Sequence, residues 1–186
     1  MAEFLSRAFA DDPFYDWLLP PAPRREAASR GFFQLLLRHL SDQLSETYTT
    51  SDLTGSALWL APGKHQLSWW QQLRLIPSFT AAVGLGGIPR GLRIIAHMDA
   101  LHTSVTTGPH YTLSLLGVEP SAQRRGLGHR LVQPILERCD QERLPAYVDT
   151  AKAHNVAFYE RLGFELRLVS EHSEFPTFWC LTRAPR

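Results

Sequence analysis

Residues 115–128, Leu-Leu-Gly-Val-Glu-Pro-Ser-Ala-Gln-Arg-Arg-Gly-Leu-Gly, carry an apolar run through a short polar loop into a helical pattern. A helix start leaves several amide N–H groups free and carries partial positive charge, so it attracts phosphate. Gly126 and Gly128 remove the side chains that would hold a pyrophosphate away from those amides. Arg124 and Arg125 add charge at the same mouth. Two common phosphate loops are excluded. No Gly-Lys-Ser/Thr is present, and no third glycine stands at dinucleotide-fold spacing with an acidic partner downstream.

Further along, Asn155 and Tyr159 lie four apart and share one face of a helical segment that Gly163 stops. Asp149 ends the short apolar run before it. Taken alone, Tyr159 reads as a core aromatic, and Asp149 reads equally as a cap for the following loop or as a catalytic group. His97, His102 and His110 are spaced five and eight apart, which is not ligand spacing on one helix face, so no metal is expected. They read as partly buried histidines, with His110 a reserve candidate for a base. Cys139 falls on the apolar stripe of its helix and reads as packing. Trp69 and Trp70 are adjacent, so one of the two is free to line a pocket.

The elements that must position these residues follow from periodicity. Phe4, Leu5, Ala8 and Phe9 recur at helical spacing, and Asp11-Asp12-Pro13 ends that helix. Ala27 to Leu44 is amphipathic and helical. Thr47–Thr50 and Ser56–Leu60 form a hairpin. Residues 65–105 read as two helices broken at 84–89, and Tyr111–Val118 as a strand. A long helix runs from about Arg124 to Glu142 and contains Pro134, which takes the helical donor from the Arg130 carbonyl and predicts a kink. Ala146–Asp149 is a strand and Asn155–Leu162 a helix, with two last strands, Phe164–Val169 and Thr177–Thr182, around a turn at Pro176. This order predicts one domain over 1–186, an α/β sheet with helices on its faces and a helical elaboration at 65–105.

Composition narrows the function classes. The formal charge of +1 gives no general drive toward nucleic acid. The apolar stretches fall short of the ~18 residues a membrane span needs. The two cysteines, without a CxxC pair, suit a reducing cytoplasm, and the N-terminus lacks a signal-peptide pattern.

Gln123-Arg124-Arg125-Gly126-Leu127-Gly128 resembles the Gln/Arg-x-x-Gly-x-Gly/Ala signature of the GNAT N-acetyltransferases, preceded by a strand that ends in Gly-Val. Asn155-Val156-Ala157-Phe158-Tyr159-Glu160-Arg161-Leu162-Gly163-Phe164 is similar to a second segment of that family. Residues 145–150 and 179–183 resemble the branch that contains puromycin N-acetyltransferase and its bacterial relatives. The resemblance implies a mixed, mostly antiparallel sheet with a V-shaped opening between strands 111–118 and 146–150, in which acetyl-CoA lies. It implies that backbone groups of Leu116 and Val118 pair with the pantetheine arm. The amides of Arg124, Arg125, Gly126, Leu127, Gly128 and His129 would hold the pyrophosphate, Asn155 would hydrogen-bond the cofactor, and Tyr159 would lie near its sulfur. The amine then attacks the thioester directly, with Tyr159 as general acid and no metal. Asp149 stands where close relatives carry a glutamate, and its shorter reach calls for a bridging water if it is the base. The family also opens with a strand ahead of the first helix. This chain begins inside that helix: either its start is placed too late or the strand is lacking, and in the second case the hairpin has an unpaired edge.

Three functions follow. The first is acetylation of an amine on a small molecule, by a monomer or homodimer that binds neither nucleic acid nor membrane. The second is a non-catalytic acyl-CoA-binding sensor or docking module, which would need no tyrosine at 159. The third is protein or peptide acetylation, which would need an open groove rather than the bulky aromatic helices of 65–105.

Overall fold

The computed structural model describes residues 1–21, 23–40, 44–63, 77 and 79–186. The first part of the helical elaboration, with Trp69 and Trp70, lies outside the described residues. Three helices lead the chain: α1 (Ala2–Ala8), α2 (Pro13–Leu18) and α3 (Arg25–Leu40). The hairpin β1 (Leu44–Thr49) and β2 (Gly55–Leu60) comes next, then α4 (Gly87–Val105) and β3 (Tyr111–Val118). The remainder is α5 (Leu127–Glu142), β4 (Ala146–Thr150), α6 (Ala153–Arg161), β5 (Glu165–His172) and β6 (Phe175–Arg183).

The strands form one six-stranded sheet in the order β1-β2-β3-β4-β6-β5. Every neighbouring pair is antiparallel except β3 and β4, which the crossover helix α5 sets parallel. That parallel pair is short. Tyr111 opposes Ala146 and Thr112 opposes Tyr147, and beyond these the two strands separate. The sheet is therefore open at its centre, in the V expected.

One face of the sheet is covered by α1 to α4 around Leu5, Phe33, Leu58, Ile94 and Phe178. The other is covered by α5 and α6 around Trp59, Val132, Ile135, Cys139 and Val148. Burying each large apolar side chain contributes about 1.5–3 kcal/mol, so both layers are anchored well. On α5 the buried stripe is Leu131, Val132, Ile135, Leu136 and Cys139. Pro134 falls between the turns of that stripe, and the helix continues through it. Arg183 locks the end of β6 to α5 through paired 2.8 Å bonds to Asp140, and its Nε donates to the Leu162 carbonyl.

Several boundaries differ from the sequence reading. Asp12-Pro13 starts α2 rather than ending α1, which stops at Ala8: Asp12 accepts from the Phe14 amide at 3.0 Å as N-cap, and Pro13 takes the first helical position. Leu44, assigned by periodicity to the third helix, instead opens β1. Pro176 lies inside β6, and the turn is at Ser173-Glu174. At Pro176, β6 is paired only with β5, because its pairing with β4 begins at Trp179, so the missing N–H is tolerated there.

Candidate active site

The separation of β3 from β4 opens a cleft of about 750 Å³. Its walls include Leu116, Gly117 and Val118 of β3, the turn with Gln123, Arg124 and Gly126, and Leu127, Gly128 and His129 of α5. Asn155 and Tyr159 reach it from one face of α6, and residues 7–12 close it from the α1–α2 connection.

The glycine turn is built by backbone geometry. After a 3₁₀ turn at Pro120–Ala122, Arg124 (φ 61°) and Gly126 (φ 75°) are both left-handed, so the helix starts at Leu127 rather than at Arg124. Arg130 is the first residue of α5 with a helical acceptor, the Gly126 carbonyl at 3.2 Å. The amides of Leu127, Gly128 and His129 therefore point out of the helix start into the cleft mouth. The two glycines serve different ends. Gly126 supplies the left-handed φ. At Gly128 a Cβ would sit 3.3 Å from the Phe158 ring, so that glycine lets α5 approach α6. Arg124 lines the cleft, whereas Arg125 does not, and its Nη2 donates to the Ser121 carbonyl at 3.1 Å.

A Gly126→Val variant tests this turn. A β-branched residue at positive φ costs about 1–3 kcal/mol and relaxes by swinging the amides out of line. Acetyl-CoA affinity, read by calorimetry, should fall at least about tenfold while the far-UV circular dichroism stays native. Unchanged affinity would show that the turn does not meet the ligand.

Of the two acid–base candidates, Tyr159 lines the cleft and Asp149 is not among its walls. Asp149 opposes Cys180 across β4 and β6, on the opposite sheet face from Val148. Burial raises its pKa to about 6, against a bond from the Tyr147 hydroxyl that favours the charged form, and the Asp12 charge adds to the rise. Burial also raises the pKa of Tyr159, and the charges of Asp149 and then Asp12 raise it further. Tyr159 therefore keeps its proton at neutral pH, and Asp149 is protonated more readily than an ordinary carboxylate. Asn155 lines the cleft with its Nδ2 committed to the Thr150 hydroxyl at 3.0 Å.

The profile described as Acetyltransferase (GNAT) family matches residues 37–164, from α3 through the glycine turn to the end of α6. The chain belongs to the GNAT acetyltransferase family. An uncharacterised N-acetyltransferase of Schizosaccharomyces pombe is 27% identical over 172 residues, covering 88% of this chain and 68% of the yeast protein. Two solved structures share the fold. One, from Corynebacterium glutamicum, is described as histone acetyltransferase HPA2 and related acetyltransferase; its TM-score is 0.69 at 20% identity, covering all of this chain and 89% of the other. The other is arylalkylamine N-acetyltransferase 2 from Aedes aegypti, with a TM-score of 0.63 at 15% identity, covering all of this chain and 93% of that one.

Within this GNAT scaffold, the reserve base His110 is not at the cleft. It is 4% exposed, its Nδ1 bonds the Gly108 carbonyl at 2.8 Å, and its Nε2 lies 2.6 Å from Nε2 of His102. His97 stacks on Phe175 and bonds the Ser170 hydroxyl. Among the described residues, no three His, Cys, Asp or Glu side chains gather as a metal site would require. Cys139 is buried and its thiol is pushed up to about 12, which leaves it unreactive. The sequence reading missed Asp12, Lys152, Phe158 and Arg161 as cleft residues. For Asp12 a signal existed, since an Asp-Pro pair is a helix start, but nothing local places that start over the cleft.

Proposed function

We propose that this acetyltransferase moves the acetyl group of acetyl-CoA to an amine on a small molecule by direct attack. The single observation that carries the reading is Tyr159, 6% exposed, lining the cleft between the parted strands with its pKa raised. The open edges of β3 and β4 suit a pantetheine arm beside Leu116 and Val118. The three outward amides of α5, with Arg124, suit its pyrophosphate.

When bound, acetyl-CoA supplies a thioester carbonyl open to attack. Asp149 takes a proton from the ammonium form of the acceptor, directly or through a water, and frees its lone pair. As the C–N bond forms and the C–S bond breaks, Tyr159 gives its hydroxyl proton to the sulfur. The second nitrogen proton restores the tyrosine through solvent, and Asp149 releases its own. A non-catalytic acyl-CoA module would need neither of these groups.

Two buried free cysteines suit a reducing, cytoplasmic setting, and no helix among the described residues is long and apolar enough to cross a membrane. The likeness of residues 145–150 and 179–183 to the puromycin N-acetyltransferase branch makes an aminonucleoside one acceptor to assay.

Acetyl-CoA should bind to chelator-treated protein with the same affinity as to untreated protein, measured by calorimetry. No binding, or binding restored only by added metal, would overturn the proposal.

A further inference from the structure

The cationic side chains of the cleft divide by whether the protein itself answers them. Arg7 is paired with Glu119, and Lys152 with Asp11. Arg124 and Arg161 line the same cleft, and among the described residues neither guanidinium has a hydrogen-bond or ion-pair partner. Arg124 sits in the glycine turn, next to the outward amides. Arg161 comes from the other wall. On α6, His154, Phe158 and Arg161 stand at i, i+4 and i+7 and all line the cleft, so one stripe of that helix faces the start of α5. Phe158 is the contact point, because a Cβ at Gly128 would meet its ring at 3.3 Å. Arg161 follows Phe158 by three residues, about 4.5 Å along the helix axis. It is therefore offset from the amides of 127–129 by nearly one helical turn.

We propose that Arg161 binds the ribose 3′-phosphate of the donor, so that this cleft distinguishes acetyl-CoA from its 3′-dephospho form. The inference rests on the acetyl-transfer reading above. Acetyl-CoA carries two anionic centres one sugar apart, the pyrophosphate and a phosphate monoester on the ribose 3′-oxygen. The turn and the three amides serve the first. The monoester carries up to about two charges at neutral pH and three strong acceptor oxygens, and nothing in the turn is left for it. A guanidinium one helical turn away, with no carboxylate of the protein to hold it, meets such a group through two parallel N–H bonds. The contact lies far from the thioester and is the same before and during transfer. Arg161 is therefore a specificity residue for the donor and has no part in the proton chemistry.

The test compares acetyl-CoA with acetyl-3′-dephospho-CoA, which share the thioester and the pyrophosphate. Calorimetry should show the full donor binding at least about tenfold more tightly to the wild-type protein, a preference that shrinks as salt is added. Thiol release with an accepted amine should place the difference in KM and not in kcat. In Arg161→Gln, acetyl-CoA should weaken to the affinity of the dephospho donor, while the dephospho donor binds as it does to wild type. Arg161→Lys should keep part of the preference, because lysine retains the charge without the planar fork. Arg161 is exposed at the end of α6, so neither substitution should move the melting temperature. Equal binding of the two donors to wild type, or a Gln variant that loses affinity for both by the same factor, would overturn this inference alone. Binding of neither donor would overturn the acetyl-CoA reading and this inference with it.

Discussion

Tyr159→Phe should lower turnover by about 100- to 10,000-fold, the usual contribution of a general acid, while leaving acetyl-CoA affinity nearly unchanged. The ring keeps its packing in the variant, against Phe158 at 5.2 Å and Phe164 at 5.8 Å between centroids, so the fold does not depend on the hydroxyl. That hydroxyl is lifted above the ordinary tyrosine pKa by burial first, and then by the charges of Asp149 and Asp12. It therefore keeps its proton at neutral pH, as a general acid must. A group that acts only in the transition state costs kcat and kcat/KM together when removed. Wild-type turnover in the Phe variant would return Tyr159 to a packing role. Weak cofactor binding with unchanged turnover at saturation would make it a binding residue.

Asp149→Asn should have opposite effects on rate and stability. Turnover should again fall by about 100-fold or more, because an amide cannot take the ammonium proton. In the wild-type protein, kcat/KM should fall about tenfold per pH unit below the Asp149 pKa of about 6. The sign of the stability effect follows from linkage. The folded-state pKa lies above the ordinary 3.8, so the folded protein favours the protonated form. That stabilisation is complete below pH 3.8 and is lost as the pH rises through about 6. At about 1.4 kcal/mol per pKa unit, the ionised carboxylate costs about 3 kcal/mol at pH 7. The Asn variant should therefore melt several degrees higher than wild type at pH 7, with the difference closing near pH 4. Equal melting at pH 7, or an activity profile flat from pH 5 to 8, would remove Asp149 from the role of base.

How much of this was legible in the sequence depends on whether the constraint is local. The glycine turn was legible because its need, backbone amides free of side chains and a left-handed residue, is met only by particular residues at particular positions. The bounds of β3 were legible as a bare apolar run, and the shared face of Asn155 and Tyr159 followed from helical spacing. The start of α5 was misplaced by three residues because Arg124, a non-glycine, adopts a left-handed φ that no propensity announces. Arg125 was counted for its amide and for its charge, and the turn directs its guanidinium back to the Ser121 carbonyl. Leu44 satisfies a helical and a strand pattern equally, and pairing with Leu60 decides between them. Asp12 was hidden for a different reason. Its place over the cleft is set by α1 packing so close to β3 that a Cβ at Gly117 would meet Leu5 at 2.6 Å, and that tertiary contact leaves no local mark.

The central claim is that the acetyl group passes straight from the thioester to the amine, with Asp149 and Tyr159 handling the protons. The most direct test mixes enzyme and acetyl-CoA rapidly with and without an accepted amine, follows free thiol, and weighs the intact protein by mass spectrometry. Direct attack predicts thiol release only when the amine is present, one thiol for each amine acetylated, and no acetylated protein at any time. A burst of thiol without amine, accompanied by protein that carries an acetyl group, would contradict it.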